Sequence, residues 1–130
     1  VGLMICYDWH FPELARVLAR NGAQLIAQPA NLVLDKCQRA MFARSVENRV
    51  FTITANRHGV ESRAGRTIGF TGASQILSPN GDLLAQAPAE SDHIGLTQID
   101  PTEADNKHST PISDLWKDRR PEFYQRLLDD

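Results

Sequence analysis

Apolar positions along the first thirty residues fall into two patterns. Val1 to Ile5 is a short continuous apolar run, the signature of a buried strand. Leu14, Val17 and Leu18 then recur at helical spacing, with Ala15 and Ala19 beside them. This predicts a helix from Phe11 to Arg20, with Pro12 in its first turn and Asn21-Gly22 as its stop. Ala23 to Gln28 is a second short apolar strand, which Pro29-Ala30-Asn31 closes. Strand, helix and strand at this spacing predict a parallel crossover, with both strand C-terminal ends at one edge. Cys6 sits where the first strand ends and the chain reverses into the helix. A side chain at such a corner is lifted from the core, with backbone N–H groups nearby, as in a nucleophile elbow. A lone cysteine beside an apolar run is more often a small buried hydrophobe, so position alone does not decide.

Farther along, Leu32 to Lys36 reads as a loop, and Ala40, Met41, Ala43 and Val46 give an apolar side to a helix from Cys37 to Asn48. Val50 to Asn56 is β-branched and aromatic, the clearest strand of the chain. Arg57 to Phe70, with glycines at 59, 65 and 69, reads as an irregular rim or lid loop. A strand from Phe70 ends in the turn Pro79-Asn80-Gly81, Leu83 to Gln86 pairs back, and His93 to Ile99 is a further strand. Asp100 caps a short helix over Pro101 to Lys107. The aromatic- and arginine-rich tail within residues 101–130 is either a subunit contact or a segment folded on its own domain.

Composition narrows the classes. The 130 residues carry a net charge of −2 and no basic block, which argues against a nucleic-acid partner. No apolar run nears the ~20 residues of a membrane span. Two cysteines, Cys6 and Cys37, make no disulfide framework, so a reducing cytoplasm is the expected setting. The four histidines have no metal-ligand spacing, and no cofactor is expected. The chain begins inside an apparent core strand, so it is expected to be part of a longer protein.

Met4-Ile5-Cys6-Tyr7-Asp8-Trp9-His10-Phe11-Pro12-Glu13 resembles the nucleophile segment of the nitrilase, or carbon–nitrogen hydrolase, superfamily. Four further blocks follow in family order: Pro29-Ala30-Asn31, Glu47-Asn48-Arg49, the Phe70 to Gly81 hairpin, and the Arg119-Arg120-Pro121 tail. The resemblance implies an α/β fold, the C-terminal half of a four-layer α-β-β-α sandwich, with residues 1–130 a partial domain. It implies hydrolysis of an amide, carbamoyl or, less readily, nitrile substrate through a thioester on Cys6. The Tyr7 backbone N–H would help hold the oxyanion, and Trp9, His10 and Asn31 would line the substrate pocket. The whole protein is expected to be a homodimer or larger homo-oligomer. Relatives acting on N-carbamoyl amino acids carry arginines where Trp9 and His10 stand, which points here to neutral or amine-bearing substrates.

The family's general base, a glutamate, and its lysine precede the cysteine, and neither position is present in this sequence. The chain alone is therefore expected to be inactive. The competing reading is a non-catalytic fragment or pseudoenzyme that keeps the fold as a binding or assembly module.

Overall fold

The computed structural model describes residues 1–129. Its centre is a mixed five-stranded sheet in the order β1-β2-β3-β6-β7. Strands β1 (Gly2–Leu3), β2 (Leu25–Ala30) and β3 (Phe51–Asn56) are parallel. Strands β6 (Gln75–Leu77) and β7 (Leu83–Gln86) continue the sheet antiparallel. Helices α1 (Pro12–Arg20) and α2 (Cys37–Asn48) form the two crossovers, pack against each other and cover one face. The mixed α/β architecture and the parallel crossover agree with the sequence expectation.

Strand alternation decides what each face carries. On the helix side, Met4 and Ile26 pack against Ala15 and Ala19 of α1. Leu77 packs with Cys37 and Met41 of α2. Burying a side chain of this size contributes about 1.5–3 kcal/mol. Also on this side, β3 presents Thr52 and Thr54, both buried. Each hydroxyl is satisfied: Thr52 Oγ1 lies 2.8 Å from Ser45 Oγ, and Thr54 Oγ1 donates to Gln28 Oε1 at 3.2 Å. A buried polar group left unpaired costs about 1–3 kcal/mol, so this layer tolerates little displacement.

The opposite face is apolar and, among the described residues, has no helix over it. One row of register partners, Leu3, Ala27, Ile53, Ile76 and Ala85, crosses all five strands. Leu3 is 68% exposed. A concavity of about 280 Å³ lies on this face, lined by Ile53, Ala55, Ile76, Ala85 and His93 among others.

Four expectations need correction. The first strand is shorter than Val1 to Ile5, because a 3₁₀ turn takes over at Cys6. Pro29 and Ala30 lie inside β2, pairing in register with Ala55 and Asn56. Arg57 to Phe70 is no irregular loop but a regular antiparallel hairpin, β4 (His58–Arg63) with β5 (Arg66–Thr71). Its two-residue turn, Ala64-Gly65, has positive φ at both positions, the type I′ signature whose twist suits a hairpin. Nearly every residue of this hairpin is exposed, so no apolar alternation marks it in the sequence. His93 to Ile99 forms no strand, and its apolar Ile94 and Leu96 are 87% and 90% exposed.

The turn at Pro79-Asn80-Gly81 forms as expected. Gly81 has φ of +87°, and a Cβ there would meet the Phe42 ring at 2.3 Å. Asp100 caps the next 3₁₀ turn by accepting from Thr102 Oγ1 at 2.7 Å and from Thr102 N at 2.9 Å, which together hold its carboxyl below the usual range. Beyond it lie a small hairpin, β8 (His108–Thr110) with β9 (Ser113–Asp114), and 3₁₀ turns at Pro121–Phe123 and Gln125–Leu128.

Trp116 fastens this tail to the domain. It packs on the Met4 cluster, and the charged ends of Arg16, Arg20 and Lys107 lie 5.1, 5.4 and 5.2 Å from its ring. Lys107 Nζ also donates to the carbonyls of Asn48 and Arg49 at 2.9 Å each, closing the C-terminal end of α2. Trp116→Ala removes half-buried apolar area and three cation–π contacts at once. We expect a loss of about 2 kcal/mol in the intact protein, read from its urea midpoint. An unchanged midpoint would show that the tail is not fastened there.

Candidate active site

Cys6 lies three residues beyond β1 with φ of +45°, in the left-handed region. For a residue with a side chain that conformation costs of order 1–2 kcal/mol. The chain then winds through a 3₁₀ turn, Cys6–His10, before entering α1. Cys6 is half-buried, beside the cluster of Trp9, Leu32, Cys37, Met41 and Leu77.

Three sets of contacts hold this corner. Asp8 bridges it: its carboxylate accepts from Ile5 N at 2.7 Å, while its own N–H donates to Ile5 O at 3.0 Å. Gln28, 1% exposed on β2, donates from Nε2 to Cys6 O at 2.8 Å. Arg44 of α2 donates from Nη2 to Trp9 O at 3.1 Å and pairs with Glu47 at 3.2 Å. The Glu47-Asn48-Arg49 block thus acts on the corner through Arg44. It also ends α2: Arg49 adopts φ of +47°, and its Nε donates to Asn106 O at 2.6 Å.

The other proposed site residues fall around the same edge. Tyr7 is exposed, and its backbone lies in the first turn after the bend. His10 is exposed and stacks on Trp9 with ring centroids 3.7 Å apart, while Tyr7 lies 4.6 Å from His10. Trp9 itself is 7% exposed and packed among Leu32, Cys37, Met41 and Leu77, so most of its ring faces the core. Asn31 is exposed just beyond β2, at the same edge as Cys6. Asn56, unremarked in the sequence, anchors the neighbouring backbone: its Oδ1 accepts from Leu32 N, and its Nδ2 donates to Gly72 O and Thr71 Oγ1. None of these corner residues lines the concavity on the open sheet face.

A scan of family models matches Carbon-nitrogen hydrolase over residues 1–107. The chain belongs to the carbon–nitrogen hydrolase family. It is 46% identical over 126 residues to a nitrilase of Pyrococcus abyssi, covering 97% of this chain and 47% of that protein. Among solved structures, a carbon–nitrogen hydrolase from Helicobacter pylori G27 superposes with a TM-score of 0.89 at 27% identity, covering 98% of this chain and 48% of that one. A mutant amidase from Nesterenkonia sp. AN1, with the acetamide moiety of fluoroacetamide added covalently at its active site cysteine, superposes with a TM-score of 0.72 at 29% identity. That match covers 95% of this chain and 42% of the amidase. The chain spans about half the length of the curated relatives it matches.

The two thiols of this family member, Cys6 and Cys37, sit in different surroundings. Burial pushes the Cys37 thiol up to about 12, and its Sγ lies 3.7 Å from Gln28 Oε1. A group with a raised folded pKa favours folding most fully below its unfolded value. Cys37 should therefore stay a neutral thiol at neutral pH, its contribution fading only as pH climbs from about 9 towards 12. Native protein treated with iodoacetamide at pH 8 is expected to be labelled at Cys6, with Cys37 labelled only after denaturation. Peptide mass spectrometry reads the sites, and native labelling of Cys37 would contradict the account.

Proposed function

We propose that the intact protein hydrolyses non-peptide carbon–nitrogen bonds, in amide or carbamoyl substrates, through a thioester on Cys6. The observation that carries this reading is the left-handed, half-buried Cys6 at a strand-to-turn corner in a chain of this family. An active site cysteine that takes covalent addition in the Nesterenkonia amidase supports it. A free thiol is only a few per cent thiolate at pH 7, and an amide carbon is a poor electrophile. The thiolate attacks that carbon, and the carbonyl electrons move onto oxygen. The Tyr7 N–H helps hold that charge. Collapse expels the amine, which takes up a proton, and leaves a thioester. Water then attacks the thioester, releasing the acid and restoring the thiol. The general base and the lysine implied by the resemblance are not among these 130 residues, so activity belongs to the intact protein.

The open apolar row across the sheet supports a second sheet stacked there from the rest of the protein, completing the four-layer sandwich. The exposed Phe123, Leu127 and Leu128 of the tail suit a contact between subunits of a homo-oligomer. Free cysteines suit a reducing cytoplasm. His10, its ring tilted against Trp9 and joined at the same edge by Asn31, offers an aromatic and amide pocket wall without the arginine pair of a carboxylate grip. Neutral or cationic amides should therefore outrank N-carbamoyl amino acids.

Cys6→Ala in the intact protein, assayed over both substrate classes, is expected to lower kcat by at least about 10⁴-fold on whatever the wild type turns over. Activity within tenfold of wild type would favour the binding-module reading of this segment. A wild-type preference for N-carbamoyl amino acids would overturn the pocket assignment.

A further inference from the structure

Gln28 stands in a strand whose neighbours are apolar, is 1% exposed, and spends both ends of its amide. Its Oε1 accepts from Thr54 Oγ1 at 3.2 Å and from Cys37 Sγ at 3.7 Å. Its Nε2 donates to Cys6 O at 2.8 Å. Two donors at one end and a carbonyl at the other leave one orientation. A flipped amide would set its oxygen against the Cys6 oxygen and its NH₂ against the Thr54 and Cys37 donors. Cys37 keeps its proton because burial raises its pKa to about 12, so it serves as a donor throughout the neutral range.

The carbonyl that Gln28 grips belongs to the same peptide unit as the Tyr7 N–H. A trans peptide is planar, so fixing the direction of Cys6 C=O fixes the Tyr7 N–H in the opposite direction. A hydrogen bond accepted by the carbonyl also polarises the N–H across the unit. We propose that Gln28 is a positioning residue for the oxyanion: by holding the Cys6–Tyr7 peptide plane from beneath, it aims the Tyr7 N–H at the reacting carbonyl oxygen. This rests on the reading of Cys6 as nucleophile and adds to it a buried residue on a different strand. Thr54 and Cys37 complete the relay by holding the far end of the amide. Cys6 and Cys37 are the titratable groups that meet this relay.

The test uses two variants of the intact enzyme, Gln28→Met and Gln28→Glu. Gln28→Met keeps the length of the side chain and removes the donor. Its kcat is expected to fall about 10- to 100-fold with KM changed less than about threefold, since an interaction made in the transition state is lost. Methyl methanethiosulfonate reacts with a thiol without building an oxyanion. Its rate at Cys6 should therefore stay within about threefold of wild type. A kcat within twofold of wild type, or a thiosulfonate rate that falls in parallel with kcat, would overturn the proposal. Parallel loss would mean that Gln28 merely holds the thiol.

Gln28→Glu carries the test within one protein if Gln28→Met fails to fold. Its carboxyl can donate to Cys6 O only when protonated. Its kcat relative to wild type at each pH should rise at least about fivefold between pH 8 and pH 5, and a flat ratio would overturn the proposal. Failure of the underlying reading looks different. In that case Cys6→Ala keeps its activity, whatever the Gln28 variants do.

Discussion

Left-handed backbone at Cys6 costs of order 1–2 kcal/mol, and the contacts around it are arranged against that cost. Asp8 closes the bend from within, Gln28 holds its carbonyl from the neighbouring strand, and Arg44 ties the following turn to α2. Each of these is a hydrogen bond contributing about 0.5–1.5 kcal/mol, or more where a charge takes part. Together they exceed the strain. The bend therefore persists only while β1, β2 and α2 keep their register. Local chemistry at Cys6 is in this sense a property of the whole layer, including the Ser45–Thr52 and Thr54–Gln28 pairs buried beneath it.

The same layer explains why the sheet has two unlike faces. Polar side chains between sheet and helix set orientation, because each must meet a specific partner. The apolar row of Leu3, Ala27, Ile53, Ile76 and Ala85 lies on the other side, where no helix among the described residues covers it. A chain spanning about half the length of its relatives, with an apolar sheet face left open, is consistent with the sandwich assignment of the family.

Much of this was legible in the residues. The β1–α1–β2 crossover followed from helical spacing after Pro12 and from the Asn21-Gly22 stop. The bend followed from an apolar run that breaks at Cys6. The hairpin of β4 and β5 was not legible, because both its faces are exposed and no apolar alternation marks it. Burial of Trp9 was hidden for a different reason: Tyr7 and His10 beside it are exposed, and only packing by Leu32, Met41 and Leu77 draws it inward. Asn56 and Arg44 act through partners distant in sequence, which no local pattern records. Gln28 did leave a trace, as the one polar residue within the strand Leu25–Ala30. Its partners Cys6, Cys37 and Thr54 come from three other elements, so its role emerges only once the layers are assembled.

The central claim is that Cys6 carries the acyl group. Intact protein quenched with acid during turnover of an amide, then digested and analysed by mass spectrometry, tests it most directly. The account predicts a mass increase equal to the acyl moiety on the peptide that contains Cys6, lost on treatment with hydroxylamine. Turnover with no adduct on Cys6, or with the acyl group on Cys37, would contradict it.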